Sequence, residues 1–318
     1  MEKLLSVSIA AYNVEKYIRE TLDSFITESM DKIEVLIVDD GGSDGTVEIA
    51  EEYENRYPNT FKLIRKENGG WGSTVNSGID HAHGKYFKLL DGDDYFDKDG
   101  LEKLLSYLSK VDADLIYTYY RIFQDGGQGF EEVRFPENYC VGKVIPINEV
   151  DVMFPFRMHG CVFRTELLKK NNVRITEHTF YTDMEYLVKG LVYTQTVCFL
   201  DVVVYMYRMG MDSQSVSNEG YRKHRKDHER VLKTLLHIYD DLDEDIPSAK
   251  VIKHMVGLMV GYQYKVYLIQ NNSKAAANRL KSFDGFIRKR YPEFVSNGKR
   301  IKVFRIFGKY SFPIIRIR

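Results

Sequence analysis

The chain has 318 residues, 44% of them hydrophobic and 29% charged, with a net charge of −1. This is the balance of a soluble globular protein with one full-size domain and an appendage. Three cysteines (Cys140, Cys161 and Cys198) at no metal-ligand or redox spacing exclude a disulfide framework and point to a reducing compartment. No run approaches ~18 uninterrupted apolar residues, so no spanning helix is expected, and no cleavable signal is expected ahead of the first strand.

From the N-terminus, Leu5 to Ala11 is β-rich, and Val14, Tyr17, Ile18, Leu22 and Phe25 recur at helical spacing over 14–27. Ile33 to Val38 is a near-continuous apolar run, as in a strand buried on both faces, and it ends in Asp39-Asp40. After the loop at Gly41 to Gly45, Thr46 opens a helix to about Tyr57. Phe61 to Arg65 reads as a third strand, Ser73 to Ala82 as a third helix, and Tyr86 to Leu90 as a fourth strand running into Asp91-Gly92-Asp93-Asp94. The βαβαβαβ order predicts an α/β fold with a mostly parallel, Rossmann-like sheet flanked by helices. Beyond it, Leu115 to Tyr120, Cys161 to Phe163 and Val197 to Tyr207 read as strands, with helices from Thr165 and over 182–192. From Tyr221 the chain reads as a helical C-terminal extension.

In open parallel sheets, ligands bind beyond the carboxyl ends of the strands. Tyr12-Asn13, Asp39-Asp40, Asn68-Gly69-Gly70 and Asp91-Gly92-Asp93-Asp94 all fall there. Hard divalent cations take carboxylate oxygens, and Mg²⁺ commonly uses one or two of them together with substrate phosphates. Gly92 lets the backbone turn so that Asp91 and Asp93 converge on Mn²⁺ or Mg²⁺; a solvated acidic turn capping the next helix is the competing reading.

The segments V-S-I-A-A-Y-N (7–13), V-D-D-G-G-S-D-G-T (38–46), N-G-G-W-G-S-T-V-N-S-G-I (68–79) and L-D-G-D-D (90–94) together resemble the inverting family 2 glycosyltransferases of GT-A fold. The likeness continues through T-D-M-E (182–185) and Y-R-M-G-M-D-S-Q-S (207–215), which predicts a GT-A domain over 1–217 and a helical region over 218–318. Its nucleotide-binding half would be about 1–119 and its acceptor half about 120–217.

The resemblance implies a donor site in which Tyr12 stacks on a nucleobase, Asp40 accepts a base N–H and Asp39 supports that loop, beside Asn13. Asn68 and Gly69 would admit the nucleotide, with Lys66 near its charge. Asp91 would reach the ribose and Asp93 would hold the metal, with Asp94 a lesser candidate behind them. Val75 stands where family members often carry arginine, which removes a second basic contact. Trp71 replaces a smaller residue usual in the family, and suits stacking on a sugar or base as well as packing.

Asp183 matches the family's catalytic base, which takes a proton from the acceptor hydroxyl. Thr182-x-x-Glu185 also fits a capping box that would hold Asp183 in a first helical turn, where the helix N-terminus favours its ionised form. Arg208, with Ser213 and Ser215, matches the loop that closes over the diphosphate. His159 is a weaker candidate beside the acceptor.

The expected activity is single transfer of a sugar from a nucleotide diphosphate sugar, a UDP-sugar above others. The acceptor would be a glycan or polyprenyl-linked hydroxyl in cell-surface polysaccharide assembly. The chain has neither the membrane helices nor the Q-x-x-R-W signature of the family's processive synthases. A nucleotidyltransferase and an inactive nucleotide-sugar-binding module are the alternatives.

The charge is unevenly spread. Residues 299–318 hold seven cations and no acid, which leaves −8 on the remaining 298 residues of a chain with net charge −1. Apolar Ile301, Phe304, Ile306 and Phe307 interleave with Lys302, Arg305 and Lys309. Such a tail suits an anionic membrane surface, and it suits equally a packed helix with snorkelling cations. A cytoplasmic protein, peripheral at the inner face of the cell membrane, is the expected setting. No basic, aromatic-interleaved patch suited to nucleic acid occurs elsewhere.

Overall fold

The computed structural model describes residues 3–136, 139–210, 216–271 and 273–317. The chain divides into two compact units, Met1–Asp212 with Asp243–Ile252, and Ser213–Leu242 with Lys253–Arg318. The return of Asp243–Ile252 to the first unit is a feature that a single cut after 217 does not contain.

The first unit runs β1 (Leu5–Ala11), α1 (Glu15–Asp23), β2 (Ile33–Asp39), α2 (Thr46–Arg56), β3 (Phe61–Arg65), α3 (Trp71–His81), β4 (Tyr86–Asp91), β5 (Tyr95–Phe96), α4 (Lys98–Leu108) and β6 (Leu115–Gln124). It continues with β7 (Glu131–Val133), β8 (Val144–Pro146), β9 (Cys161–Arg164), α5 (Thr165–Lys170), α6 (Asp183–Val192) and β10 (Thr196–Met209). The strands form one sheet in the order β3-β2-β1-β4-β9-β6-β10-β5, with β7 on β6 and β8 on β10. Strands β1 to β4 pair in parallel, as βαβ crossovers demand. β9 runs antiparallel between β4 and β6, and β10 is parallel to β6. The sheet is thus mixed and mostly parallel, with helices against it.

Burial on both faces explains the unbroken apolar runs. Val35, Leu36, Ile37 and Val38, successive residues whose side chains alternate between the two faces, are all buried, and Phe25 packs on Phe61 and Phe96 at ring-centroid distances of 6.2 and 5.3 Å. α1 stops at Asp23, short of the expected 27. There the Ser24 hydroxyl donates to Thr21 O and accepts the Phe96 N–H, turning the buried Phe25 inward. α3 starts two residues earlier than expected because Gly70, at φ +78°, makes the sharp entry.

The second unit holds α7 (Asn218–Lys223), α8 (Arg225–Asp240), most of α9 (Ala249–Ile269), α10 (Lys274–Arg290), α11 (Lys299–Phe307) and α12 (Phe312–Ile315). Among the described residues no helix is long and apolar enough to cross a membrane.

α4 is set against β10 through Gly100, where an added Cβ would lie 1.7 Å from Val203 O. Asp97 caps this helix, its Oδ1 accepting Gly100 N–H at 2.7 Å. Backbone on both sides cannot yield cheaply. Gly100→Ala should therefore lower stability by about 1–3 kcal/mol, read as a fall in the urea midpoint; an unchanged midpoint refutes this packing.

Candidate active site

The parallel register aligns the strand ends. Ala11 pairs with Asp39, Asp39 with Arg65, and Ala10 with Asp91, so the residues that follow these strands share one rim. Tyr12 is 52% exposed there, an aromatic face open to a planar ligand. Asn13 adopts a left-handed φ of 54°, and its Oδ1 accepts the Ser43 N–H at 2.8 Å, tying the β1 and β2 loops together.

The two adjacent aspartates behave differently. Asp40 is 3% exposed, and Oδ1 accepts from Lys66 Nζ (2.8 Å), Gly69 N (2.9 Å) and Ser73 Oγ (3.1 Å), while Oδ2 accepts from Gly70 N (2.8 Å). Lys66 also donates to Ser73 Oγ and Glu67 O, and Asn68 Nδ2 donates to Asp40 O. Asp40, Lys66 and Asn68 thus form an internal knot that shapes the Gly69-Gly70 turn. Asp40 and Lys66, expected to face the nucleotide, are instead spent on each other. Asp39, 5% exposed, accepts only the Gly42 N–H among the side-chain hydrogen bonds described, on Oδ1 at 3.1 Å.

At the end of β4, Asp91 Oδ1 accepts the Trp71 indole N–H at 2.7 Å. Trp71 is thus an orienting donor to a carboxylate, a role that neither stacking nor packing describes. Burial, aided by the charges of Asp93 and Asp183, pushes the Asp91 carboxyl up to about 7, and the indole N–H opposes that rise. Burial also raises Asp93, while the Arg208 cation opposes the rise.

Asp94 is 1% exposed, with Oδ2 accepting from Tyr205 OH (2.6 Å) and Oδ1 from Arg208 N (2.7 Å). These bonds hold it as a buried brace behind Asp91 and Asp93. Tyr205 OH also accepts the Asp91 N–H at 3.2 Å.

Arg208 departs from its expected place over a diphosphate. Its side chain is 8% exposed; Nε donates to Asp93 O, Nη1 to Asp125 and Nη2 to Glu20, with the guanidinium over the rings of Tyr17 and Phe123. Two carboxylates and two aromatic faces draw the group inward, so Arg208 braces the Asp93 turn.

Asp183 opens α6 as its first residue. Burial raises its carboxyl above the ordinary range against the pull of the Met184 N–H and the Arg157 cation, so burial outweighs the expected helix-end effect. The capping box does not form. Thr182 is helical (φ −79°, ψ −3°), not extended as an N-cap must be, and its hydroxyl is buried without a partner. Glu185, fully buried, turns to Lys189 Nζ (2.7 Å) and Thr176 Oγ1 (3.0 Å).

His159 is packed among Tyr120, Tyr205 and Tyr207, with ring centroids 5.1, 4.8 and 4.3 Å away. Burial and the Lys88 and Arg157 cations hold its pKa down to about 3, which keeps the ring neutral. Ser213 and Ser215 lie outside the described residues.

The structure therefore brings Tyr12, Asp39, Asp91, Asp93 and Asp183 to one rim, and Tyr207 feels the charges of Asp91, Asp94, Asp183 and Asp93 together. Sequence reasoning missed Tyr205, Arg157, Glu20 and Asp125, and it placed Tyr207 only within the 207–215 motif. Period-two spacing along β10 puts Tyr205 and Tyr207 on one face, but nothing in the sequence marks that face as the site. Among the described residues no three His, Cys, Asp or Glu side chains form a metal-holding cluster.

A mostly parallel α/β sheet carrying aspartates and an exposed tyrosine at its carboxyl rim defines a GT-A-type fold. TarS of S. aureus in complex with UDP-GlcNAc has a similar fold (TM-score 0.60, 20% identity, covering 87% of this chain and 83% of that one). So does the mannosyltransferase PcManGT of Pyrobaculum calidifontis in complex with GDP-Man and Mn²⁺ (TM-score 0.58, 15% identity, 99% and 86%). Glycosyl transferase family 2 matches residues 6–171, and the chain belongs to that family.

Among relatives, the putative glycosyltransferase EpsH of Bacillus subtilis is 39% identical over 124 residues, 39% of this chain and 36% of EpsH. The uncharacterized glycosyltransferase EpsJ of the same organism is 27% identical over 228 residues, 67% of this chain and 63% of EpsJ. The matches thus span less than two thirds of either relative.

A cation held at Asp91 would need the carboxylate, so any metal-dependent nucleotide affinity should fall as pH drops through about 7. Trp71→Phe removes the N–H that favours the charged form, and should move the midpoint upward by about one pH unit. Calorimetric titration of UDP with Mn²⁺ across this range checks it; an unmoved midpoint refutes the role of the indole.

Proposed function

We propose that this chain transfers a single sugar, with inversion, from a nucleotide diphosphate sugar to an acceptor hydroxyl. The observation that carries this reading is the convergence of Asp91, Asp93 and Asp183 on one rim, close enough for Asp91 to feel both other charges. Tyr12 would stack on the base and Asp39, engaged by a single loop N–H, would accept from it. A UDP-sugar is the donor we favour, supported by the UDP-GlcNAc that TarS holds.

Asp91 and Asp93 fit Mn²⁺ or Mg²⁺. Two carboxylates raised by burial, Asp91 further by the charge of Asp93, suit a hard cation that completes its shell with diphosphate oxygens and water. When bound, such an ion would neutralise charge developing on the leaving diphosphate.

In the transfer, the bond from the anomeric carbon to the diphosphate oxygen breaks as the acceptor oxygen bonds to that carbon from the opposite face. The acceptor proton passes to Asp183, whose raised basicity suits this task. Trp71 fixes Asp91, and Arg208 and Tyr205 fix Asp93 and Asp94, so little rearranges as charge moves. A glycan or polyprenyl-linked acceptor in surface-polysaccharide assembly is the setting we assign.

Asp183→Asn should lower transfer by ~10²–10⁴ while nucleotide affinity stays near wild type. Glu185→Gln should mainly lower the melting temperature, because it removes a buried partner of Lys189. Near wild-type turnover in Asp183→Asn beside a dead but stable Glu185→Gln would move the base to Glu185. Release of pyrophosphate in place of nucleoside diphosphate would instead make the chain a nucleotidyltransferase.

Asp93→Ala should abolish the difference in UDP affinity between Mn²⁺ and chelator, with the fold intact by circular dichroism. A persisting metal effect sinks the assignment of Asp93 as a ligand.

A further inference from the structure

The last helices of the second unit carry an exposure pattern that glycosyl transfer does not use. Ile314, Tyr310 and Ile306 are the most exposed large apolar side chains among the described residues, at 84%, 80% and 73%, and Phe307 beside them is 61% exposed. All four fall within nine residues of sequence. Isolated exposed apolar residues need no explanation, but such a concentration does.

This stretch is anchored. Ile301, Phe304, Phe312 and Ile315 are buried, and the Arg305 guanidinium grips Asp284 of α10 through Nε and Nη2. α11, α12 and the turn between them pack on one another, and that turn packs on α10. The apolar side chains therefore project because half of the segment is already committed inward. Lys299, Arg300, Lys302 and Lys309 are exposed in the same segment, and no acid occurs in 299–318.

We propose that α11, α12 and the turn joining them form a docking surface for an anionic bilayer. Ile306, Phe307, Tyr310 and Ile314 would enter the headgroup–acyl boundary, and the lysines would meet the acidic headgroups. Aromatic and aliphatic side chains beside lysines are the composition that lies in such an interface. Charge argues against a second copy as the occupant, because a two-fold contact through this surface would set the exposed cations Lys299, Arg300, Lys302 and Lys309 against their own copies. The inference stands independently of the proposed activity.

The test is co-sedimentation of the full chain with vesicles of phosphatidylglycerol and phosphatidylcholine, against phosphatidylcholine alone. Wild type should bind the anionic vesicles and lose binding as salt rises. Lys302→Gln with Lys309→Gln should lower partitioning roughly 25-fold, about fivefold per cation. Phe307→Ser with Ile314→Ser should lower it by about tenfold or more. All four positions are exposed, and an unchanged melting temperature and UDP affinity would show that each variant is folded. Binding by both double variants equal to wild type overturns the proposal, as does no wild-type binding at low salt. A lipid-free dimer that Phe307→Ser with Ile314→Ser converts to monomer overturns it in favour of a second copy.

Discussion

Ionised carboxylates repel one another most strongly where water is excluded, and at the rim of this sheet the charges of Asp91, Asp93, Asp94 and Asp183 all bear on Tyr207. Much of the surrounding structure offsets that repulsion. Asp94 tolerates burial because Tyr205 O–H and Arg208 N–H both donate to it. The Arg208 cation sits behind Asp93, steadied by Glu20 and Asp125, and the Trp71 indole supports Asp91. Each brace acts from behind or from the side. The faces of Asp91 and Asp93 left without such a donor are the place where a ligand's positive charge would be most strongly favoured.

A second charged group, Asp40 with Lys66, shows the opposite economy. Here the pair is internally complete, and its output is a shape. Four donors on one carboxylate hold Gly69 and Gly70 in a turn whose left-handed φ at Gly70 launches α3 with Trp71 as its first residue. The buried pair at β2 thereby sets the position of the indole that orients Asp91 at β4. Asp40 and Asp91, 51 residues apart in sequence, thus belong to one mechanical unit.

The sheet was legible because parallel strands buried on both faces write themselves as unbroken apolar runs, and the rim followed from strand order alone. The acidic residues of β2, β4 and α6 were legible as a set. Their division of labour was not. Asp39 and Asp40 are adjacent and chemically identical, and only the three-dimensional path of Lys66 and the Gly69-Gly70 amides decides which one is saturated. Arg208 was misplaced for the same reason, since Glu20 and Asp125 lie 188 and 83 residues from it in sequence. The Thr182–Glu185 spacing fits a capping box, but the left-handed Tyr181 delivers Thr182 already helical, and the nearby Lys189 claims Glu185. Local patterns fail where a tertiary partner outbids the local one.

The loop before Asp183 shows how the two halves of the site are joined. His178 and Tyr181 hold left-handed φ values of 51° and 65°, conformations that cost non-glycine residues about 1–3 kcal/mol each and survive only where neighbours enforce them. The neighbours here belong to the Gly69–Gly70 turn and α3. His178 N–H donates to Gly69 O at 2.5 Å, and Thr176 O lies 2.3 Å from where a Cβ on Gly72 would stand. Asn76 closes the same contact, its side chain exchanging hydrogen bonds with the Ile175 backbone at 2.7 and 2.9 Å. From the other end, Glu185 holds Thr176 and so ties the loop to the first turn of α6. The carboxylate of Asp183 is therefore positioned through the glycine turn that Asp40 shapes. A disturbance of that turn would reach Asp183 through backbone hydrogen bonds, with no need for a domain motion to carry it.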